Sequence, residues 1–363
     1  MEYICYANQE YPKEQFKKFF KSKQTKSTIY SYLEVLQNNG INNLDILYDL
    51  EKKGCTYAYA ANALITKLVM DSGKNLNSST IKEVFGFPLS TDDNTLDCNI
   101  LMLDMFAFLY DKVKLTVHKY ENYHYKNAIE AVKDLFGKET ASEEEAILEL
   151  LNNNIRPDGI DSETKENKYK KMIPDNQVIY GSYPEIAKSL LNIEDNDMNK
   201  EKLTKLLSEK GIIFEEHDKS PESKLSGLTE ANINTWINYY LLRKNISLEF
   251  KSELLPKDNN NYDEFQNNLK TLLSEGYILG IASSPNSDAF IISNKEKERV
   301  SSKEAGHKML ITGFDENNNL LVSSWGKDFT IAKEHYKDFN YTKVKIKTPE
   351  IIKSNGKENN FKY

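Results

Sequence analysis

Cysteine is scarce in this chain. It has three in 363 residues, Cys5, Cys55 and Cys98, and none is paired at CxxC spacing. An odd, widely spaced set builds neither a disulfide framework nor a thiolate zinc site, and it points to a reducing compartment. Histidine is sparse as well, and no HExxH occurs. His118 and His124 flank a tyrosine-rich stretch without a carboxylate at helical spacing, and His217 and His335 stand alone. No metal and no cofactor are therefore expected. Neither GxGxxG nor GxxxxGK[ST] is present, which excludes the common phosphate-cradling loops. No apolar run approaches the length of a membrane span. The opening Met1-Glu2-Tyr3-Ile4-Cys5-Tyr6-Ala7 is too short, and carries a glutamate, for a signal-peptide core. The expected location is the cytoplasm, or a destination reached without a cleavable leader, a host cell included. A basic excess is missing too: net charge is −7 and pI about 5.5. Without counterion release to drive it, nucleic-acid binding is excluded as the main activity. Lys168, Lys170 and Lys171 are read as solvated loop residues.

The hydrophobic share of 39% still allows a sizeable core. Helical spacing of Phe16, Phe19 and Phe20, then of Tyr30, Leu33 and Leu36, predicts two short helices over 12–38. Ala58, Ala61, Leu64, Ile65, Leu68 and Val69 predict a helix within Glu51–Asp71, stopped by Ser72-Gly73. A further apolar helix is expected over 97–117, with Cys98 as a buried structural thiol. Helical patterns recur near 126–136, 142–153, 184–192, 199–209, 229–244 and 262–274, separated by polar stretches such as Arg156–Met172. From Tyr277 the period changes to two. Strands are expected at Tyr277–Ala282, Ala289–Ser293, Lys308–Phe314, Leu320–Ser323, Phe329–Ala332 and Tyr341–Ile346.

Three short motifs carry chemistry. Gly54-Cys55-Thr56-Tyr57-Ala58 puts a cysteine at the start of an apolar helix. Gly306-His307-Lys308-Met309-Leu310 puts a histidine at the start of an apolar strand, and Ser323-Ser324-Trp325-Gly326 closes the next one. A helix N-terminus favours the thiolate through its partial positive charge and unpaired N–H groups, and an adjacent imidazolium would favour it further. An imidazole at the same site can return the proton to a leaving amine.

In order and local context these motifs resemble those of the papain-like cysteine peptidases. The likeness covers about 50–70 and 277–331. It implies an α+β fold of two subdomains, one helical and one an antiparallel sheet. It also implies Cys55 as nucleophile, His307 as base and Ser323 in the position of the residue that orients the imidazole. Two departures stand out. Ser323 replaces the usual Asn or Asp, with Asp328 as a substitute carboxylate. Asp49 stands where the family has an oxyanion-binding Gln. The Cys55 backbone N–H remains an oxyanion donor, and Gln37, Asn42 and Asn43 are candidates for the second. Gly54 and Gly306 would let substrate approach, and Trp325 would shield the imidazole hydrogen bond.

The separation of Cys55 from His307 is far longer than such a fold needs, so 121–270 is read as a helical insertion and recognition region. It lies between a helical subdomain (46–120) and a β subdomain (271–348). Residues 1–45 form a helical extension or pro-segment and 349–363 a polar tail. The expected activity is hydrolysis of a peptide or isopeptide amide through an acyl-enzyme. The substrate is a protein or peptide, with ubiquitin or a ubiquitin-like tail as candidates. The alternatives are a deamidase or transglutaminase using the same dyad, and a catalytically degenerate scaffold that binds protein.

Overall fold

A computed structural model describes residues 3–5, 32–42, 46, 50, 54–72, 78–89, 95–173, 177–219, 230–256, 261–285, 287–293, 296–300, 306–324 and 327–349. Its elements in chain order begin with β1 (Tyr3–Cys5), α1 (Tyr32–Asn38), α2 (Cys55–Ser72), α3 (Ser78–Phe85), β2 (Thr95–Asp97) and α4 (Cys98–Leu109). Next come β3 (Val113–Tyr125), α5 (Ala128–Phe136), α6 (Glu143–Asn152), β4 (Ile155–Ile160), β5 (Asn167–Met172), β6 (Gln177–Gly181), α7 (Tyr183–Leu191), α8 (Lys200–Ser208) and β7 (Ile212–Lys219). They end with α9 (Glu230–Arg243), β8 (Glu249–Leu254), α10 (Tyr262–Ser274), β9 (Ile278–Ser283), β10 (Phe290–Ser293), β11 (Glu296–Arg299), β12 (Lys308–Phe314), β13 (Leu320–Ser324), β14 (Lys327–Ile331) and β15 (Phe339–Lys347). The fold is α+β. It divides into two compact units, one of Met1–Tyr110 with Ser220–Tyr363 and one of Asp111–Lys219.

The first unit is organised by an eight-stranded antiparallel sheet in the order β11-β10-β14-β13-β12-β9-β15-β8. Alternation gives each strand two faces. Leu279, Ile281, Met309, Ile311, Leu320, Val322 and Tyr341 form one core with Phe265, Leu269 and Leu273 of α10. Burying each such side chain contributes about 2 kcal/mol. The other face receives α2, which packs on β12, β9 and β15. Close approach there depends on Gly280, because a Cβ at that position would lie 2.4 Å from the Tyr59 hydroxyl oxygen. The Tyr59 hydroxyl hydrogen-bonds Thr342 Oγ1 at 3.0 Å.

On its far side α2 meets α4, with Tyr57 edge-on to Phe106 at 5.3 Å between ring centroids. Both helices are buried all round, so tertiary packing rather than an exposed polar face defines them. Asp104, only 1% exposed, is satisfied by Tyr240 Oη, by Lys244 Nζ at 3.0 Å and by Asn39 Nδ2 at 2.7 Å. This charged group ties α4 to α9 and to the end of α1.

The second unit is built on the long strand β3. Its first half pairs with β6 and β7, and its second half with β5, which pairs in turn with β4. Val113 and Leu115 meet α7 and α8 in one core, while Ile155 and Tyr169 meet α5 and α6 in another.

Several expectations are corrected here. The inserted unit is 111–219 rather than 121–270, and it carries a five-stranded sheet. The 229–244 and 262–274 helices belong instead to the first unit. The 97–117 helix ends at Leu109, because Val113, Leu115 and Val117 alternate buried positions at strand period. The polar Arg156–Met172 stretch holds the β4–β5 hairpin, and Lys168, Lys170 and Lys171 lie on a strand. That hairpin buries few side chains, so its composition reads as loop. The Phe16–Phe20 helix, the region before Tyr32 otherwise, and the tail from Glu350 lie outside the described residues, apart from β1.

Candidate active site

Cys55 is the first residue of α2, as the sequence predicts. The Gly54 carbonyl accepts the Ala58 N–H at 2.9 Å, which closes the first turn around the cysteine. The thiol is 7% exposed. Burial raises its pKa, opposed by the backbone N–H of Lys308, the hydroxyl and N–H of Thr56, and the positive charge of Lys308. The sulfur therefore sits against the peptide group that joins His307 to Lys308, at the start of β12.

His307 is held from three directions. Its N–H donates to Ser283 Oγ at 2.9 Å, and its carbonyl accepts the Ser283 N–H at 2.8 Å. Its Nε2 lies 2.6 Å from Ser324 Oγ. Burial lowers the imidazole pKa from 6.5 to about 4, so the ring is neutral near neutral pH. Gly306 is required by packing rather than by substrate approach, because a Cβ there would lie 2.0 Å from the Ser283 carbonyl oxygen.

The expected orienting residue is corrected by one position. Ser324, not Ser323, meets the imidazole. Ser323 pairs with Leu310 across the sheet, while Ser324 continues the face of Leu320 and Val322. On β12 that face belongs to Met309 and, one step back in the alternation, to His307. Ser323 is 2% exposed, and its hydroxyl has no hydrogen-bond partner among the described residues. Asp328 is the backbone partner of Ser323 on β14. Trp325, Asn43 and Asp49 lie outside the described residues. Gln37 and Asn42 are solvent-exposed, unlike the buried thiol, and neither is drawn to it.

Two residues escaped the sequence reading. Lys308 is the lone charged side chain in the strand Lys308–Phe314. It is 8% exposed, and its Nζ stands 4.6 Å from the centroid of the Tyr59 ring. Its signal was a lysine at the head of an otherwise apolar strand. Gly280 was the other, a glycine inside a strand, which marks close approach of a neighbour.

Among the described residues no group of three His, Cys, Asp or Glu side chains is gathered to hold a metal, and no helix is long and apolar enough to cross a membrane. No protein-family model matches the sequence, and a search of curated proteins returns no match.

Proposed function

We propose that this chain is a cysteine hydrolase of the papain-like kind, cleaving a peptide or isopeptide amide through an acyl-enzyme. The observation that carries this reading is the seating of Cys55. The thiol opens a buried helix and rests against the peptide between His307 and Lys308. In the first step the thiolate attacks the carbonyl carbon and a C–S bond forms. The oxyanion is met by the backbone N–H of Cys55. Collapse breaks the C–N bond, and His307 delivers a proton to the leaving amine. Water then attacks the thioester, with His307 taking its proton, and the acid leaves as the thiolate is restored. Ser324 holds Nε2 and so fixes the tautomer and plane of the ring, the positioning role of the third member of such triads. A protein or peptide is the natural substrate class, with a ubiquitin-like tail the first candidate to test.

A second reading, a scaffold that binds protein without catalysis, is favoured by one observation. Thiol and imidazole are each only 7% exposed. The two readings part on covalent labelling. A peptide vinyl sulfone and a ubiquitin C-terminal electrophile should each be offered to the full chain, with intact-mass readout and an amide-turnover assay alongside. Hydrolysis requires an adduct on Cys55, slowed in His307→Ala and absent in Cys55→Ala, together with turnover. No adduct and no turnover across both probes favours the scaffold.

A further inference from the structure

We infer that Lys308, rather than His307, is the cation that stabilises the Cys55 thiolate in the resting protein, leaving His307 to move protons. This rests on the reading of Cys55 as a nucleophile.

The geometry begins with strand alternation. His307 and Lys308 leave the backbone on opposite sides of β12. The imidazole goes to Ser324 Oγ. The ammonium goes to the face of α2, over the ring of Tyr59. Cys55 and Tyr59 are four apart on that helix and therefore share a side of it. The Lys308 backbone N–H and side-chain charge both act on the sulfur, so one residue supplies a hydrogen bond and a counter-charge. The position is fixed from below, because Gly280 admits Tyr59 to the sheet and Thr342 holds its hydroxyl. Lys308 is itself only 8% exposed, so water screens the interaction weakly.

The chemistry explains why a second cation is needed. An imidazole that is neutral near pH 7 leaves the resting pair as thiol and imidazole, with little thiolate present. A lysine keeps its charge through that range. The other titratable groups facing the sulfur from the elements around it are Tyr57 and Tyr59 on α2, His307 at the head of β12, and Cys98 and Asp104 on α4. Asp104 is engaged by Lys244 and Tyr240. Lys67, also on α2, is paired with Asp71 at its far end. Lys308 is therefore the basic side chain at the cysteine end of α2.

The test is the pH dependence of iodoacetamide alkylation at Cys55, mapped by mass spectrometry, in the wild type, Lys308→Met, Lys308→Gln, Lys308→Arg and His307→Gln. Thiolate ultraviolet absorbance against Cys55→Ser gives an independent titration, and melting curves verify folding. The expected result is that Lys308→Met and Lys308→Gln move the thiol midpoint up by about one pH unit, lowering the rate at pH 7 about tenfold. Lys308→Arg should restore it, and His307→Gln should leave the midpoint in place while abolishing amide turnover. An activated thiol that shifts with His307→Gln and ignores Lys308 overturns the inference alone. A wild-type thiol that reacts no faster than an ordinary one overturns both the inference and the hydrolase reading.

Discussion

Helix α7 of the inserted unit and helix α2 of the larger unit begin in different ways. At α7 the Ser182 side chain accepts the Glu185 N–H while the Glu185 side chain takes the Ser182 N–H, a complete capping box, and Pro184 stands in the first turn. Side-chain caps also start α5 at Asn127, α6 at Ser142 and α8 at Asn199. Each of these helices has an apolar stripe and an exposed polar face. Helix α2 is buried without a break from Cys55 to Ile65, and its first-turn Thr56 N–H is directed to a sulfur. The inserted unit writes its helices locally. The larger unit makes its key helix out of contacts with residues more than two hundred positions away, Thr342 and Lys308 among them. A first turn whose N–H groups are not all spent on capping can stabilise an anion.

The largest effect should come from breaking a long-range contact. Phe106 is fully buried and meets Tyr57 edge-on between α4 and α2. Phe106→Ala should cost about 4 kcal/mol, as large-to-small core substitutions of this kind do. Both tryptophans, Trp236 and Trp325, belong to the larger unit, so urea unfolding followed by tryptophan fluorescence reports that unit. A loss below about 1 kcal/mol would mean that α2 holds its place without α4.

Next in size is the buried imidazole. Its folded pKa of about 4 lies below the ordinary 6.5, so between those values the unfolded chain binds the extra proton. Stability from this group is therefore full above about pH 6.5 and is lost as pH falls toward 4, by roughly 3 kcal/mol. His307→Gln removes the proton site. Between pH 7 and pH 4 the wild type should lose that much more stability than the variant, measured by urea unfolding at each pH. Parallel curves would mean that the ring titrates as an exposed histidine does.

The same contrast decides how much could be read in advance. Four helices of the inserted unit fall within two residues of their expected bounds, since apolar period and cap residues lie in the same short window. The apolar strands of the large sheet were legible for a similar reason, and so were Cys55 at a helix start and His307 before a strand. Strands β4, β5 and β8 were missed, because a hairpin or edge strand with one open face can be polar. The orienting serine was missed by one residue. Motif likeness pointed to Ser323, whereas the register that pairs Ser323 with Leu310 selects Ser324. Lys308 was missed because nothing local says that an α2 tyrosine will lie beneath it.

The smallest effect sharpens the comparison from the other side. If α7 is specified locally, removing its cap should be felt locally and modestly. Ser182→Ala deletes the acceptor for the Glu185 N–H and costs about 1 kcal/mol. Hydrogen exchange should then speed about fivefold at the first-turn amides, Tyr183 to Ile186, with little change at the far end of the helix near Leu191. Ser182→Asp should restore protection, because a carboxylate caps as well and suits the positive end of the helix dipole. Uniform loss of protection through α7 and along β3, where Val113 and Leu115 pack against it, would show that packing and not the cap defines this helix. The inserted unit would then obey the same rule as α2.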